Sequence, residues 1–420
     1  MLVKVFLMPP VLASVGSLLF SVAILLTGNG LQSTLISVRA NLEDFSTLTI
    51  GLLQSGYFAG FVAGCIVCPH IVRRVGHIRA FAVMASSASV SALMHVLLIH
   101  TFTWWLLRVS TGFCLAGLFM VAESWLNERA VNQNRGRILS VYFMVNMGSI
   151  ALGQLFLMLA DPKEFILFVA VSILISLALV PVTLTTAMAP APIQNARLHF
   201  RRLFNVAPLG VAGCLAVGLA NGAFWGLAPV FIQDAGLPIS TISFFISLVI
   251  VGGIISQWPL GKLSDQYDRR RVMTAMSFLA VLSGLALAAS GVLLPGALLY
   301  LAFTHGAIIM PLYAISIAHV NDFADPKDFL ETSGGLLFFF GMGAILGPLL
   351  ASLVMEYFGY WTLFLFTATV HAILGLYGIY RISRRAPVPI GEQSEYVPVP
   401  RSSPVVFGLH PDVDKESSDS

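Results

Sequence analysis

The sequence predicts an all-α polytopic membrane protein with twelve transmembrane helices in two pseudo-symmetric six-helix bundles. Three observations predict it. Hydrophobic residues make up 57% of the chain and charged residues 10%, against roughly 45–50% and 25% in soluble domains, so most of the surface must face lipid. Apolar runs of about 20 residues, enough to cross a bilayer as a helix, occur twelve times. Taken as alternating spans, these runs leave 20 of the 23 Lys and Arg residues on one side.

In chain order the runs lie near residues 10–36, 48–70, 80–100, 104–127, 137–160, 164–184, 206–232, 242–261, 273–294, 297–319, 333–355 and 361–381. The first is too long for a signal peptide and lacks a small-residue cleavage site, so it is read as a retained helix. All are continuous rather than alternating, which excludes barrel strands. The joins at 100–104, 160–164 and 294–297 leave almost no loop. With the amino terminus cytoplasmic, the basic loops (Arg73, Arg74 and Arg79; Arg129, Arg135 and Arg137; Lys262 and Arg269 to Arg271) and the basic tail share that side. Only Arg39 and Lys163 lie opposite, and Arg108 falls inside a span. The positive-inside rule then places both termini in the cytoplasm.

Two halves repeat. Asn29-Gly30 in the first run and Asn221-Gly222 in the seventh are offset by 192 residues, and the same offset aligns Arg79 with Arg271. "MGSI" at Met147–Ile150 returns as "MGAI" at Met342–Ile345, an offset of 195. The predicted organisation is an N-terminal bundle over 1–184, a linker over 185–205, a C-terminal bundle over 206–381 and a disordered cytoplasmic tail over 382–420. The linker is basic and bears proline, with a short interfacial helix expected at Leu198–Phe204. The tail is rich in Pro, Ser and acidic residues and has no helical period.

The loop "GKLSDQYDRRR" resembles the signature G-x-L-x-D-x-x-G-R-R/K of the major facilitator superfamily. Gly261, Leu263, Asp265, Arg269 and Arg270 match it, while Asp268 stands where the second glycine is expected. The first-half copy has Pro69 and Arg73 in place of Gly and Asp but keeps Gly76. "RVSTG" at Arg108–Gly112 resembles a fourth-helix element linked to proton coupling. "VAESWLNERAVNQNRGRILSVYFMV" and "QWPLGKLSD" resemble the YcaD-like bacterial branch. The resemblance implies a bacterial inner-membrane transporter whose helices one, four, seven and ten line a central cavity around which the halves rock.

Polar residues gather on those helices: Asn29 and Gln32, Arg108 and Glu123, Asn221 and Trp225, His305 and Tyr313. Arg108 is the costliest, because a charge at the bilayer centre costs about 2.5–3.5 kcal/mol on insertion scales. It either faces a cavity or snorkels beside Trp104 and Trp105. Glu123 lies fifteen residues further on, about 22 Å along the helix, and is expected in a charge network with Glu128, Arg129, Arg135 and Arg137. A cytoplasmic gate is expected too, with Arg73 and Arg74 facing Asp322, Asp325 and Asp328. By pseudo-symmetry, Arg269 and Arg270 would face Glu123 and Glu128, with Asp265 orienting the arginines of its own half.

Several chemistries are disfavoured. "CIVCPH" lacks the haem-attachment spacing and a second ligand pair, so Cys65, Cys68, Cys114 and Cys214 are read as packing residues. "GMGAILGP" lies within an apolar helix and serves close packing. Gly261-Lys262 is followed by Leu263, so no ATP-binding loop is present. A channel lacks a repeated filter motif, and a membrane enzyme lacks clustered acids or histidines inside the spans. A receptor that keeps the fold is the other alternative. The expectation is a monomeric, proton-coupled secondary transporter of a small organic solute, with no enzymatic activity, cofactor, metal or nucleic-acid partner.

Reporter fusions after Arg202 and after Arg385 should therefore read cytoplasmic, and one within residues 233–240 should read external. A cytoplasmic signal from that last position would overturn the twelve-span topology.

Overall fold

The computed structural model describes residues 10–130, 134–184, 200–293, 295–324 and 329–409. Among the described residues, twelve helices are long and apolar enough to cross a membrane. The first six are α1 (Val15–Leu42), α2 (Thr47–Val75), α3 (His77–Leu97), α4 (Thr101–Arg129), α5 (Arg135–Leu159) and α6 (Ile166–Thr183). The second six are α7 (Pro208–Asp234), α8 (Ile239–Gln266), α9 (Arg269–Ser290), α10 (Leu298–Asn321), α11 (Thr332–Phe358) and α12 (Thr362–Arg384). Among the described residues there is no strand. The short helix expected in the linker runs over Phe200–Val206.

The packing repeats between halves. In the first, α2 lies on α4, α1 on α5 and α3 on α6; in the second, α8 lies on α10, α7 on α11 and α9 on α12. Hydrocarbon does not drive apolar helices together, so close packing through small residues must do so. A Cβ at Gly60 would strike the Val109 carbonyl, and one at Gly112 would strike the Tyr57 carbonyl. Gly252 meets the Phe303 carbonyl and Gly306 the Val249 carbonyl in the same way. The repeats seen in the sequence also pack on each other. Gly30 abuts the Ile150 backbone, and Gly222 abuts the Ala344 backbone.

The basic cluster sits differently from its expected place in a loop. Asp265 lies in the last turn of α8 and Arg269 to Arg271 open α9, leaving only Tyr267 and Asp268 between the helices. Asp268 accepts from the Arg270 backbone N–H at 3.0 Å and from its guanidinium at 3.0 and 2.8 Å. Burial acts to raise its pKa, but Arg270 holds the carboxyl below its ordinary value. In the matching turn of the first half, Gly76 has φ +86°, which favours glycine.

The halves also meet at the end of the bundle away from these arginines. Ser55 donates to the Ile345 carbonyl at 2.6 Å and Ser37 to the Gly226 carbonyl at 2.8 Å. Gln233 reaches the Val38 carbonyl at 3.3 Å, and Asn41 bonds Asp234 at 3.0 Å.

The tail is the main correction. Its expected disorder does not describe residues 386–409, which fold back against the basic end; residues 410–420 lie outside the described part. Tyr396, Val397, Val399, Val406, Phe407 and Leu409 are all buried. The helix bundle supplies a surface for these apolar side chains that composition alone does not reveal.

The glycine contacts generate a stability prediction. Overpacking a fitted core costs about 1–3 kcal/mol, so Gly112→Leu and Gly306→Leu should each lower the thermal midpoint in detergent by several degrees. Gly148, whose added Cβ would meet nothing within 4 Å, should accept alanine without loss. Equal midpoints for all three variants would show that the helix backbones do not need this contact.

Candidate functional site

A cavity of about 670 Å³ lies between the halves. Its wall includes Asn29 from α1, Tyr57 and Phe61 from α2, Phe119 from α4, Asn146 from α5, Trp225 from α7, Tyr313 from α10 and Phe340 from α11. The wall is mostly apolar, rich in aromatic rings, with amides, hydroxyls and a few charged groups such as Glu128 and Arg135, as in sites that take organic molecules. α10 breaks at Met310-Pro311, between helical segments Leu298–Ile309 and Leu312–Asn321. Proline has no N–H to continue the helix, and the break leaves Met310 and Tyr313 on the cavity wall.

Of the residues expected to form the cavity, Asn29, Trp225 and Tyr313 line it. Gln32 and Asn221 are buried outside the lining, and polar atoms in both amides have no partner among the described residues. His305 lies deeper in the second half, where it bonds Ser283 at 2.8 Å and meets Phe364 edge-on.

Arg108 does not snorkel. It is 1% exposed, donates to Gln54 Oε1 at 2.9 Å and stacks 4.4 Å over the Tyr57 ring. Trp104, expected to mark the interface, is fully buried. Gln54 in turn donates to Ser37 at 2.7 Å, and Ser37 donates to the Gly226 carbonyl. These three bonds link α4, α2, α1 and α7, running from the buried cation across the seam between halves. The Gly112–Tyr57 contact brings the Tyr57 ring within reach of Arg108.

At the basic end the expected partners are exchanged. Glu123 meets no arginine among the described residues. It accepts from Tyr142 at 2.8 Å and from the hydroxyls of Ser402 and Ser403 in the tail. Glu128 lines the cavity. Arg269 and Arg270 do not face Glu123 and Glu128, because carboxylates of their own half lie nearer. Arg270 pairs with Asp268, while Arg269 pairs with Asp265 at 2.8 Å and with Asp322 at 3.1 Å. Burial raises the Asp322 carboxyl to about 6 against the opposing pull of Arg269. Arg73 and Arg74 are exposed. Their expected partners Asp325 and Asp328 lie outside the described residues, while Asp322 is taken by Arg269 and the tail.

The tail threads through this end of the molecule. Ser394 gives its N–H and hydroxyl to Asp322, both at 2.9 Å. Tyr396 donates its N–H to Asp265 at 3.1 Å and its hydroxyl to Gln257, with its ring against Gly261. Asn127 donates to the Val405 carbonyl at 2.7 Å, and Arg135 to the Gly408 carbonyl. Arg401 enters the cavity wall with its guanidinium 5.4 Å from the Tyr313 ring centre and 5.3 Å from that of Phe340. Burial lowers its pKa to about 10, so it remains a cation at neutral pH. The tail thus bonds both halves and forms part of the cavity wall at the basic end. Sequence reasoning missed Gln54, Tyr57, Gln257, Tyr396 and the Arg401–Ser403 segment. Each acts through a partner distant in the chain.

A family model described as Major Facilitator Superfamily matches residues 18–311 and, again, 215–409. The chain is 25% identical to the uncharacterized MFS-type transporter YcaD of Escherichia fergusonii, over 88% of this chain and 95% of that protein. It is 26% identical to YcaD of Escherichia coli O17:K52:H18, over 91% and 98%. Among solved structures, the nucleoside transporter NupG superposes with a TM-score of 0.71 at 15% identity, covering 88% of this chain and 99% of that one. A bacterial homolog to the human lysosomal transporter Spinster, inward-facing and occupied, superposes with 0.73 at 16% identity, covering 92% and 99%.

The tail's anchors predict its accessibility. Trypsin should cut slowly after Arg401 in the intact protein, and about tenfold faster once Tyr396→Ala or the pair Ser402→Ala and Ser403→Ala loosens the segment. Equal cleavage rates at this bond, read by mass spectrometry, would mean that the tail does not rest on Asp265, Gln257 and Glu123.

Proposed function

The chain belongs to the major facilitator superfamily, and on that premise we propose that it carries a small organic solute across the membrane by proton-coupled alternating access. The observation that supports this reading is the central cavity. It lies between two six-helix halves that are bridged to each other at the end away from the basic cluster, and the tail forms its wall at the basic end. In this reading the basic end faces the cytoplasm of a bacterial inner membrane, both termini lie there, and the protein works as a monomer without a cofactor.

Two groups are assigned to coupling. Glu123 is a fully buried carboxylate held by hydroxyls, with no cation paired to it among the described residues. A neutral, protonated form therefore loses no ion pair, and Glu123 is the proposed proton carrier. Arg108 is the proposed link between the cavity and the closed end, through Gln54 and Ser37 to α7. A buried cation held by neutral partners responds to small shifts of those partners.

The test is a solute screen in proteoliposomes under an imposed proton gradient, against empty vesicles. Saturable, protonophore-sensitive flux is expected. Arg108→Ala should insert normally and cut net transport about tenfold or more. Glu123→Gln should lose gradient-driven accumulation while still exchanging solute at equal concentrations. Gradient-driven flux at wild-type level in Glu123→Gln would remove Glu123 from the coupling role, and no flux of any solute would remove the transport reading itself.

A further inference from the structure

Arg401 occupies a site with a distinct chemistry. Its guanidinium lies against the rings of Tyr313 and Phe340 and reaches the Met310 sulfur at 3.7 Å. No carboxylate pairs with it among the described residues, although Glu123 is bonded to the next two residues of the tail. Ring faces carry negative charge and attract cations, the more so when water is excluded. The site therefore selects a positive charge by its π-faces and a soft sulfur. The rest of the cavity wall is largely apolar, with the rings of Tyr57, Phe119 and Trp225 on it beside polar groups that include Glu128 and Arg135, so space for an apolar body lies beside the cation position.

We propose that Tyr313 and Phe340 form a binding site for an amphipathic organic cation, and that Arg401 is a tethered competitor filling it. This rests on reading the cavity as the solute site. When the tail withdraws, Ser402 and Ser403 leave with Arg401, so one movement empties the aromatic pair and uncaps the Glu123 carboxylate. Both changes favour a cation over an anion. The tail is positioned for this by anchors outside the site, Ser394 on Asp322 and Tyr396 on Asp265, which hold the segment at the basic end.

The test measures binding rather than flux, so its outcome does not depend on transport. Benzyltrimethylammonium and benzoate serve as probes of matched bulk and opposite charge, titrated by calorimetry against the purified full-length protein. Arg401→Gln should bind benzyltrimethylammonium at least about tenfold more tightly than wild type. Arg401→Lys, which keeps the cation, should gain much less, and benzoate should gain nothing. Adding Tyr313→Leu and Phe340→Leu to Arg401→Gln should abolish the gain. If that combination does not fold, Phe340→Leu alone on the Arg401→Gln background should reduce the gain at least threefold. Equal binding in wild type and Arg401→Gln, an equal gain for benzoate, or a gain that survives loss of the rings would each overturn the assignment. Benzyltrimethylammonium binding without any solute flux would leave the site standing and reject transport instead.

Discussion

Backbone against backbone is the contact on which this architecture depends. Where α2 crosses α4, Gly60 and Gly112 let each helix lie on a carbonyl of the other, and Gly252 and Gly306 do the same where α8 crosses α10. Lipid competes equally well for every apolar side chain, so such crossings rely on dense van der Waals contact. They join helices of the same half. Between halves α2 also packs on α11, where a Cβ at Gly51 would strike Ser352 and the Pro348 carbonyl; hydroxyl and amide side chains add bonds at one end and the tail at the other. The cavity lies between two units joined by both kinds of contact.

The fold was legible because its signals are local or periodic. Twelve apolar runs, the skewed distribution of Lys and Arg and the repeats at Asn29-Gly30 and Met147–Ile150 are properties of short stretches, and lipid imposes them directly. The site was legible only in part. Arg108 stands out in a span because charge is rare there, yet its partners Gln54 and Tyr57 lie more than 50 residues away and look ordinary in sequence. Asp265 announces itself through the loop pattern, but nothing nearby in the chain reveals that Tyr396 will use it. The tail misleads for a physical reason. Proline and serine make it a poor former of its own core, but an existing groove asks it only to place Val397, Val399 and Phe407.

The loop pattern acquires a local meaning from this arrangement. Gly261 leaves room for the Tyr396 ring, and Asp265 Oδ1 accepts from both Arg269 and the Tyr396 backbone N–H. Asp268, standing where a glycine is expected, does not need glycine's conformational freedom and instead binds Arg270. Of the charges that suggest a latch between halves, Asp265, Arg269, Arg270 and Asp322 pair within one half, and Asp265, Arg269 and Asp322 also seat the tail.

The bridges at the opposite end have an asymmetry that bears on how easily they part. Ser37, Ser55 and Gln233 donate to carbonyls of Gly226, Ile345 and Val38, all of them inside continuous helices. A carbonyl has two lone pairs and keeps its own helical donor when a second one leaves. The departing serines can turn to a carbonyl one turn back along their own helix. Separation therefore strands no acceptor, and the desolvation penalty that normally makes a buried hydrogen bond costly to break is largely absent. This end is fastened with bonds whose loss the helices tolerate, a closure that favours reversibility over strength.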